Sequence, residues 1–447
     1  MVYCNKNSLP ASIIRFCTKI HFKFFCIIFL SAFVTDLYSQ SIIFNHLTSN
    51  NGLSNNYVSD IFQDKYGFLW FATDDGLNRF DGYEFKIYRN NPLDKNSISD
   101  NSILSFSEDA NGNLWIGTKN GFVNRYDPVL DKFTKWEIKS NITKENPINV
   151  LHIDKKGFVW IGTYRSGLYQ LDPKTGRIDH WSLNPEDPTT LSNNLISAIV
   201  EDGLGNFWIG TFYGLNKINP GKDATKFEKF YSQKEDPNSL SDNLIWGITP
   251  SSIDRDKFYI GTANGLTFLK ISQKKIEKIS IPNPDNLQFG TGTGIVIEEI
   301  INDEKILWIN SYAGLLRYNL TQNKFNRYLP DKTNPNSIAS NQINKIYKDR
   351  SGVLWIATNK GLSFFTSKNN KFNSTFLSMP FDFETAKLNS QNTTTLLNTS
   401  NGNLIVGTDN GLIYSIKSLK GIELNKQPQL SKENIWSLAQ DKSENVW

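Results

Sequence analysis

The chain has 447 residues, a formal charge of +4, an aromatic content of 13% and only 2 Met. That length holds two or three average domains or one large repetitive one, and abundant Phe and Trp suit pleated, half-buried surfaces. Four of the 48 basic residues and one of the 44 acidic residues fall in residues 1–39. The remainder is almost neutral, so its charge points to no nucleic-acid partner and no anionic membrane surface.

In chain order, Lys19 and Lys23 precede the apolar run FFCIIFLSAFV (24–34), and small residues follow in LYSQ (37–40). A basic start, a short apolar stretch and that exit predict a secretory signal peptide over residues 1–39, with export to the periplasm. An uncleaved anchor is the alternative, although the run is short for a bilayer span. Cys26 follows Phe25 and so lacks a lipoprotein context. Cys4, Cys17 and Cys26 all lie in this segment. The expected mature chain therefore has no disulfide, no thiolate metal site and no cysteine nucleophile.

From residue 70 onward one phrase recurs: LWFATDDGLNRFD at Trp70, LWIGTKNGFVNRYD at Trp115, VWIGTYRSGLYQLD at Trp160 and FWIGTFYGLNKIN at Trp208. It continues at Tyr259, Trp308, Trp355 and Ile405, and NVW starts another copy at Trp447, with spacings of 42–51 residues. Each unit opens with an alternating apolar segment such as NSILSFSED, which predicts a half-buried strand. An Asp-x-x-Gly turn follows at Asp64, Asp109, Asp154, Asp202 and Asp349. Asp bonds such a turn's backbone and Gly accepts its positive φ. LWIGT is then a second strand, GLxRYD a third, and FTKWEI (133–138), FEKFYS (227–232) or FNRYLP (325–330) a fourth.

Four antiparallel strands per 42–51 residues predict an all-β fold of β-propeller blades. Kelch and WD-type propellers match less well because their dipeptide signatures are missing, and a parallel β-helix has shorter rungs. IIFNHL (42–47) reads as an isolated fourth strand able to close the ring. The expectation is a seven-bladed propeller over residues 41–375 and the first blades of a truncated second one over 376–447. A single eight-bladed ring is the alternative. Ending at Trp447, inside a strand, suggests a piece of a longer protein.

The run GLSNNYVSDIFQDKYGFLWFATDDGLNRFDGYEFKIY (52–88) resembles the two-component regulator propeller repeat, and the resemblance extends over residues 41–447. It implies the extracytoplasmic sensor of Bacteroidetes-type hybrid two-component system histidine kinases. Such proteins carry two seven-bladed propellers, a triple-tyrosine immunoglobulin-like domain, a membrane helix and an intracellular kinase, receiver and helix-turn-helix domain. Their role is to sense glycan fragments and induce polysaccharide-utilisation genes. This chain shows no membrane helix, phospho-accepting histidine region or nucleotide-binding glycine box, so the resemblance leads one to expect kinase activity and membrane anchoring in a downstream part. Some family members end in other outputs.

Recurrence assigns most conspicuous residues to the scaffold. Trp70, Trp115, Trp160, Trp208, Tyr259, Trp308 and Trp355 hold one strand position, as inter-blade packing requires. The IGT glycine suits close strand packing. FGTGTGIV (289–296) precedes a strand, where a phosphate cradle wants a helix. His46, His152 and His180 show no metal-binding spacing, no G-x-S-x-G elbow occurs, and no cofactor is expected. Variation between LWIGT and GL is more informative. Tyr164 and Arg165, Phe212 and Tyr213, and Tyr312 depart from the pattern, on the propeller face that second-to-third-strand loops share with blade-to-blade loops. Aromatic rings there suit stacking on pyranoses and Arg165 suits a carboxylate or sulfate, with Trp246 as a further contributor. Ordinary loop variation or a homodimer contact are the plainer readings. The expected function is a non-catalytic sensor for an oligosaccharide, with a secreted lyase or glycosidase, or an adhesive propeller, as alternatives.

Overall fold

The computed structural model describes residues 42–142, 145–220, 223–279, 294–311, 314–366, 393–400, 404–408, 413–416, 436–441 and 445–446. The segment read as a signal peptide lies outside them, as do Gly290, Gly292, Tyr312 and Trp447. Between residues 42 and 366 the strands form seven four-stranded antiparallel sheets, the blades of a β-propeller. Blade one runs Val58–Gln63, Leu69–Thr73, Gly76–Phe80 and Phe85–Tyr88, and each later blade repeats that order. Fourth strands occupy Lys132–Glu137, Asp223–Phe230 and Lys324–Tyr328, one to four residues ahead of the sequence reading at their starts.

Blade seven closes the ring. It takes Ile343–Lys348, Val353–Thr358 and Gly361–Thr366 from one end and Asn45–Leu47 from the other. His46 sits opposite Ser363 in that antiparallel pairing. Phe44 is buried just ahead of it, with its ring 5.1 Å from Phe365 and edge-on. A short strand thereby acquires both ladder hydrogen bonds and an aromatic anchor.

Each repeat Trp has a polar duty besides its burial. In five blades its indole N–H donates to Oδ2 of the turn Asp six residues earlier: Trp70 to Asp64, Trp115 to Asp109, Trp160 to Asp154, Trp208 to Asp202 and Trp355 to Asp349, at 2.7–3.1 Å. Oδ1 of the same Asp accepts two backbone amides of its own turn; for Asp202 these come from Leu204 and Asn206, both at 2.9 Å. One carboxylate thus shapes the turn and satisfies the buried indole, which would otherwise be costly to bury. Burial opposes ionisation of Asp109 and Asp202, but these hydrogen bonds outweigh it and hold both below the ordinary carboxylate pKa. The other faces of the Trp rings pack on fourth-strand aromatics, as Trp115 does on Trp136 at 5.3 Å and Trp160 on Trp181 at 5.4 Å.

Blades five and six depart from this plan, because neither has an Asp-x-x-Gly turn. Two adjacent glutamates of blade six take over. Glu298 accepts the Tyr259 hydroxyl of blade five at 2.8 Å. Glu299 accepts the Trp308 indole at 2.8 Å and pairs with Lys348 of blade seven at 2.6 Å.

The first strands of neighbouring blades approach one another around the axis. Each of them, except that of blade six, carries a register shift after its first residue. Such a bulge leaves a carbonyl unpaired in the ladder, and side chains of the preceding blade supply the missing donor. Ser59 donates to Ile103 O at 2.7 Å, Ser105 to Ile148 O at 3.0 Å, Asn149 to Ile196 O at 2.8 Å and Asn344 to Val58 O at 2.7 Å. The IGT glycine answers to the same strand. A Cβ on Gly210 would stand 2.8 Å from Ile245 Cγ2 of the next blade, so any larger residue would push the blades apart.

Phe372–Trp447 forms a separate unit. Its described strands Thr393–Asn398, Leu404–Thr408 and Ile413–Ile416 make one three-stranded antiparallel sheet. Among the described residues no helix is long and apolar enough to cross a membrane.

Candidate functional site

Second-to-third-strand turns and blade-to-blade loops share one face, because antiparallel strands return to it at both places. On that face a buried Thr or Ser ends the second strand and ties the turn, as Thr211 Oγ1 does by donating to Gly214 O at 2.8 Å. With the turn's base held by that bond, its tip residues are free to vary. Reading around the ring, the tips carry Asp74 and Asp75, Lys119 and Asn120, Tyr164 to Ser166, Phe212 and Tyr213, Ala263 and Asn264, and Asn359 and Lys360.

Three of the residues singled out from sequence meet here. The Tyr164 ring lies 6.4 Å from Phe212 at 75°, and Phe212 lies 5.0 Å from Trp246 at 73°. These edge-to-face contacts build an aromatic wall across blades three, four and five. Trp246 stands at the bulge of its first strand, where other blades place Ser59, Asn149, Ser197 and Asn344. Tyr213 does not join the wall; it packs at 5.6 Å against Tyr231, just past the outermost strand of its own blade. Arg165 is exposed beside Tyr164. Tyr312 lies outside the described residues.

Gly247, the residue after Trp246, lines a central cavity of about 350 Å³, whose lining does not include the three wall residues themselves. Its lining includes Tyr57, Ser59, Ser105, Asn149 and Ser197, together with an ion pair that sequence reasoning missed. Lys345 of blade seven contacts Asp60 Oδ1 of blade one at 2.9 Å, and Asp60 Oδ2 accepts the Phe106 amide of blade two at 3.1 Å. The signal was present: the residue after the bulge is Ser105, Val150, Ala198 or Gly247 in other blades, and is charged only at 60 and 345. Only ring closure brings those two positions together. At the far ends of the first strands, burial depresses the His152 pKa against the opposing pull of Glu201, 3.6 Å away. Among the described residues no group of three His, Cys, Asp or Glu side chains is placed to hold a metal. The wall offers aromatic faces and a neighbouring cation, which is the chemistry of stacking and anion pairing.

A family model described as "Two component regulator propeller" matches residues 52–75, 97–120, 144–165, 190–213 and 337–360. Those five segments of the chain carry this repeat. The matched segments lie in the five blades with an Asp–Trp hydrogen bond, and two of them end on wall turns, at Arg165 and Tyr213. A histidine kinase, P4, from Formosa agariphila is 50% identical over 70 residues, which are 15% of this chain and 5% of that protein. The extracellular domain of a protein assigned as a hybrid two component system in B. thetaiotaomicron has a TM-score of 0.58 at 20% identity, covering 91% of this chain and 51% of that one. The chain thus spans about half the length of that domain. Virginiamycin B lyase from Staphylococcus aureus has a TM-score of 0.52 at 14% identity, covering 73% of this chain and 98% of the lyase. At such identities these structures share the fold.

Proposed function

We propose that this chain is the extracytoplasmic, non-catalytic ligand-binding region of a two-component signalling protein, exported to the periplasm, and that it detects glycan fragments. The observation that carries the reading is the wall of Tyr164, Phe212 and Trp246 on the loop face. It is built at turn and bulge positions where the repeat leaves the residue free. Rigid aromatic faces bind pyranose rings at low entropic cost, and polar groups of a cavity fix their orientation. The regulator propeller repeats and the sensor domains that share the fold support the signalling role. Binding transmits a signal only when the ligand prefers one arrangement of the propeller and its neighbours over another.

The test is calorimetric titration of the 447-residue chain against a panel of oligosaccharides, with chromatographic assay of the same mixtures for products. Saturable binding without turnover, weakened by Tyr164→Ala and Trp246→Ala, is the expected result. Product formation would replace the sensor with a propeller lyase or glycosidase. Binding unaffected by both substitutions would remove the wall from the site.

A further inference from the structure

The chemical class of the ligand follows from one detail of blade three, and rests on the wall being the glycan platform. Its turn holds three residues between Thr163 and Gly167, where the turns of blades one, two, four, five and seven hold two. The added length is not slack. Ser166 is 1% exposed; its amide donates to Thr163 Oγ1 at 3.0 Å, and its hydroxyl lies 2.6 Å from Ser140 Oγ. Its carbonyl accepts His180 Nε2 at 2.6 Å, and the His180 ring is stacked on Tyr169 at 4.1 Å. On the other side, the Tyr164 amide donates to Pro147 O at 3.1 Å. Arg165 is therefore held between two anchored neighbours.

Its charge is uncompensated. Arg165 is exposed and has no ion-pair partner among the described residues. The rim's other arginine, Arg89, is tied to Asp75 by two hydrogen bonds at 3.2 and 2.9 Å, so the acid and the base of blade one cancel. Lys119, on the turn of blade two, is also exposed without a side-chain partner among the described residues. The wall thus ends, on its blade-three side, in an exposed guanidinium on an anchored turn, with Lys119 on the next turn, where Asp100 Oδ2 accepts the Asn120 amide at 3.0 Å. A guanidinium presents a planar fork that matches a carboxylate or sulfate in two parallel hydrogen bonds.

We propose that the ligand is an acidic saccharide, with a pyranose ring on Tyr164 and its carboxylate or sulfate on Arg165. Two matched pairs of probes test this by titration of the 447-residue chain. One pair is trigalacturonate and its methyl ester; the other is a sulfated galactose tetrasaccharide and its desulfated twin. One acidic probe is expected to bind about tenfold or more tighter than its neutral twin, as loss of a charged hydrogen bond implies. Arg165→Gln should erase that preference and flatten the salt dependence. Lys156→Gln, on the opposite face, should leave the preference intact. Equal binding of the twins, an Arg165→Gln variant that keeps the preference, or failure of both acidic probes would overturn the proposal. If neutral probes still bind and lose affinity in Tyr164→Ala, the platform stands and only its acidic specificity falls. If neither Tyr164→Ala nor Arg165→Gln affects any binding, both readings fall together.

Discussion

Blades one to four and seven differ from blades five and six in how they satisfy a buried aromatic residue. In the first group the partner is an Asp in the same repeat, six residues before its Trp. In the second it is a glutamate reached across strands or blades, Glu298 for Tyr259 and Glu299 for Trp308. The requirement is common to every blade: a buried N–H or O–H must have an acceptor. A local solution repeats in sequence, whereas a non-local one leaves no spacing to recognise. The segments that the family model matches all lie in the first group.

The largest effect on this contrast is expected from Trp208→Ala, which empties a fully buried site and strips Asp202 of its indole donor. Loss of about 4 kcal/mol by urea unfolding is anticipated; a loss under about 1 kcal/mol would show that the ring tolerates a missing wedge. Glu299→Ala removes the acceptor of Trp308 and the partner of Lys348 at once. It should cost about 3 kcal/mol, since a buried donor and a cation are left unpaired. Gly210→Ala should cost about 2 kcal/mol, because its methyl group meets Ile245.

Smaller effects separate the two groups by pH. Asp109 and Asp202 have folded pKa values below the ordinary 3.8, so their contribution is present above that value and is lost as pH falls through the folded ones. Burial and then Glu298 push the Tyr259 hydroxyl above its usual 10.0, so its contribution is present below pH 10.0 and is lost as pH rises through the folded value. Thermal melting across pH should therefore show an acid limb that persists in Tyr259→Phe and an alkaline limb that shrinks in it. An unchanged alkaline limb would mean that Tyr259 does not couple blades five and six. Asn344→Ala, which removes one hydrogen bond across the closing seam, is expected to cost only about 1 kcal/mol.

The candidate site was partly legible. Tyr164, Phe212 and Trp246 stood out because a strict repeat makes each departure visible, yet nothing in the chain order said that they touch. Tyr213 stood out equally and packs elsewhere. The Asp60–Lys345 pair went unnoticed, since residues separated by most of the ring meet only when the ring closes.

By itself the amino-acid sequence determined the blade: its four strands, its turn and the buried position of its Trp, all of which depend on contacts within one repeat. Even the Asp-to-indole bond was written there as a constant six-residue spacing, although the bond itself exists only in the folded blade. Tertiary structure alone decided which loop residues form the wall, which charges cancel and which remain open. Those outcomes depend on neighbouring blades, whose residues are distant in sequence and free to vary as long as the strands beneath them pack.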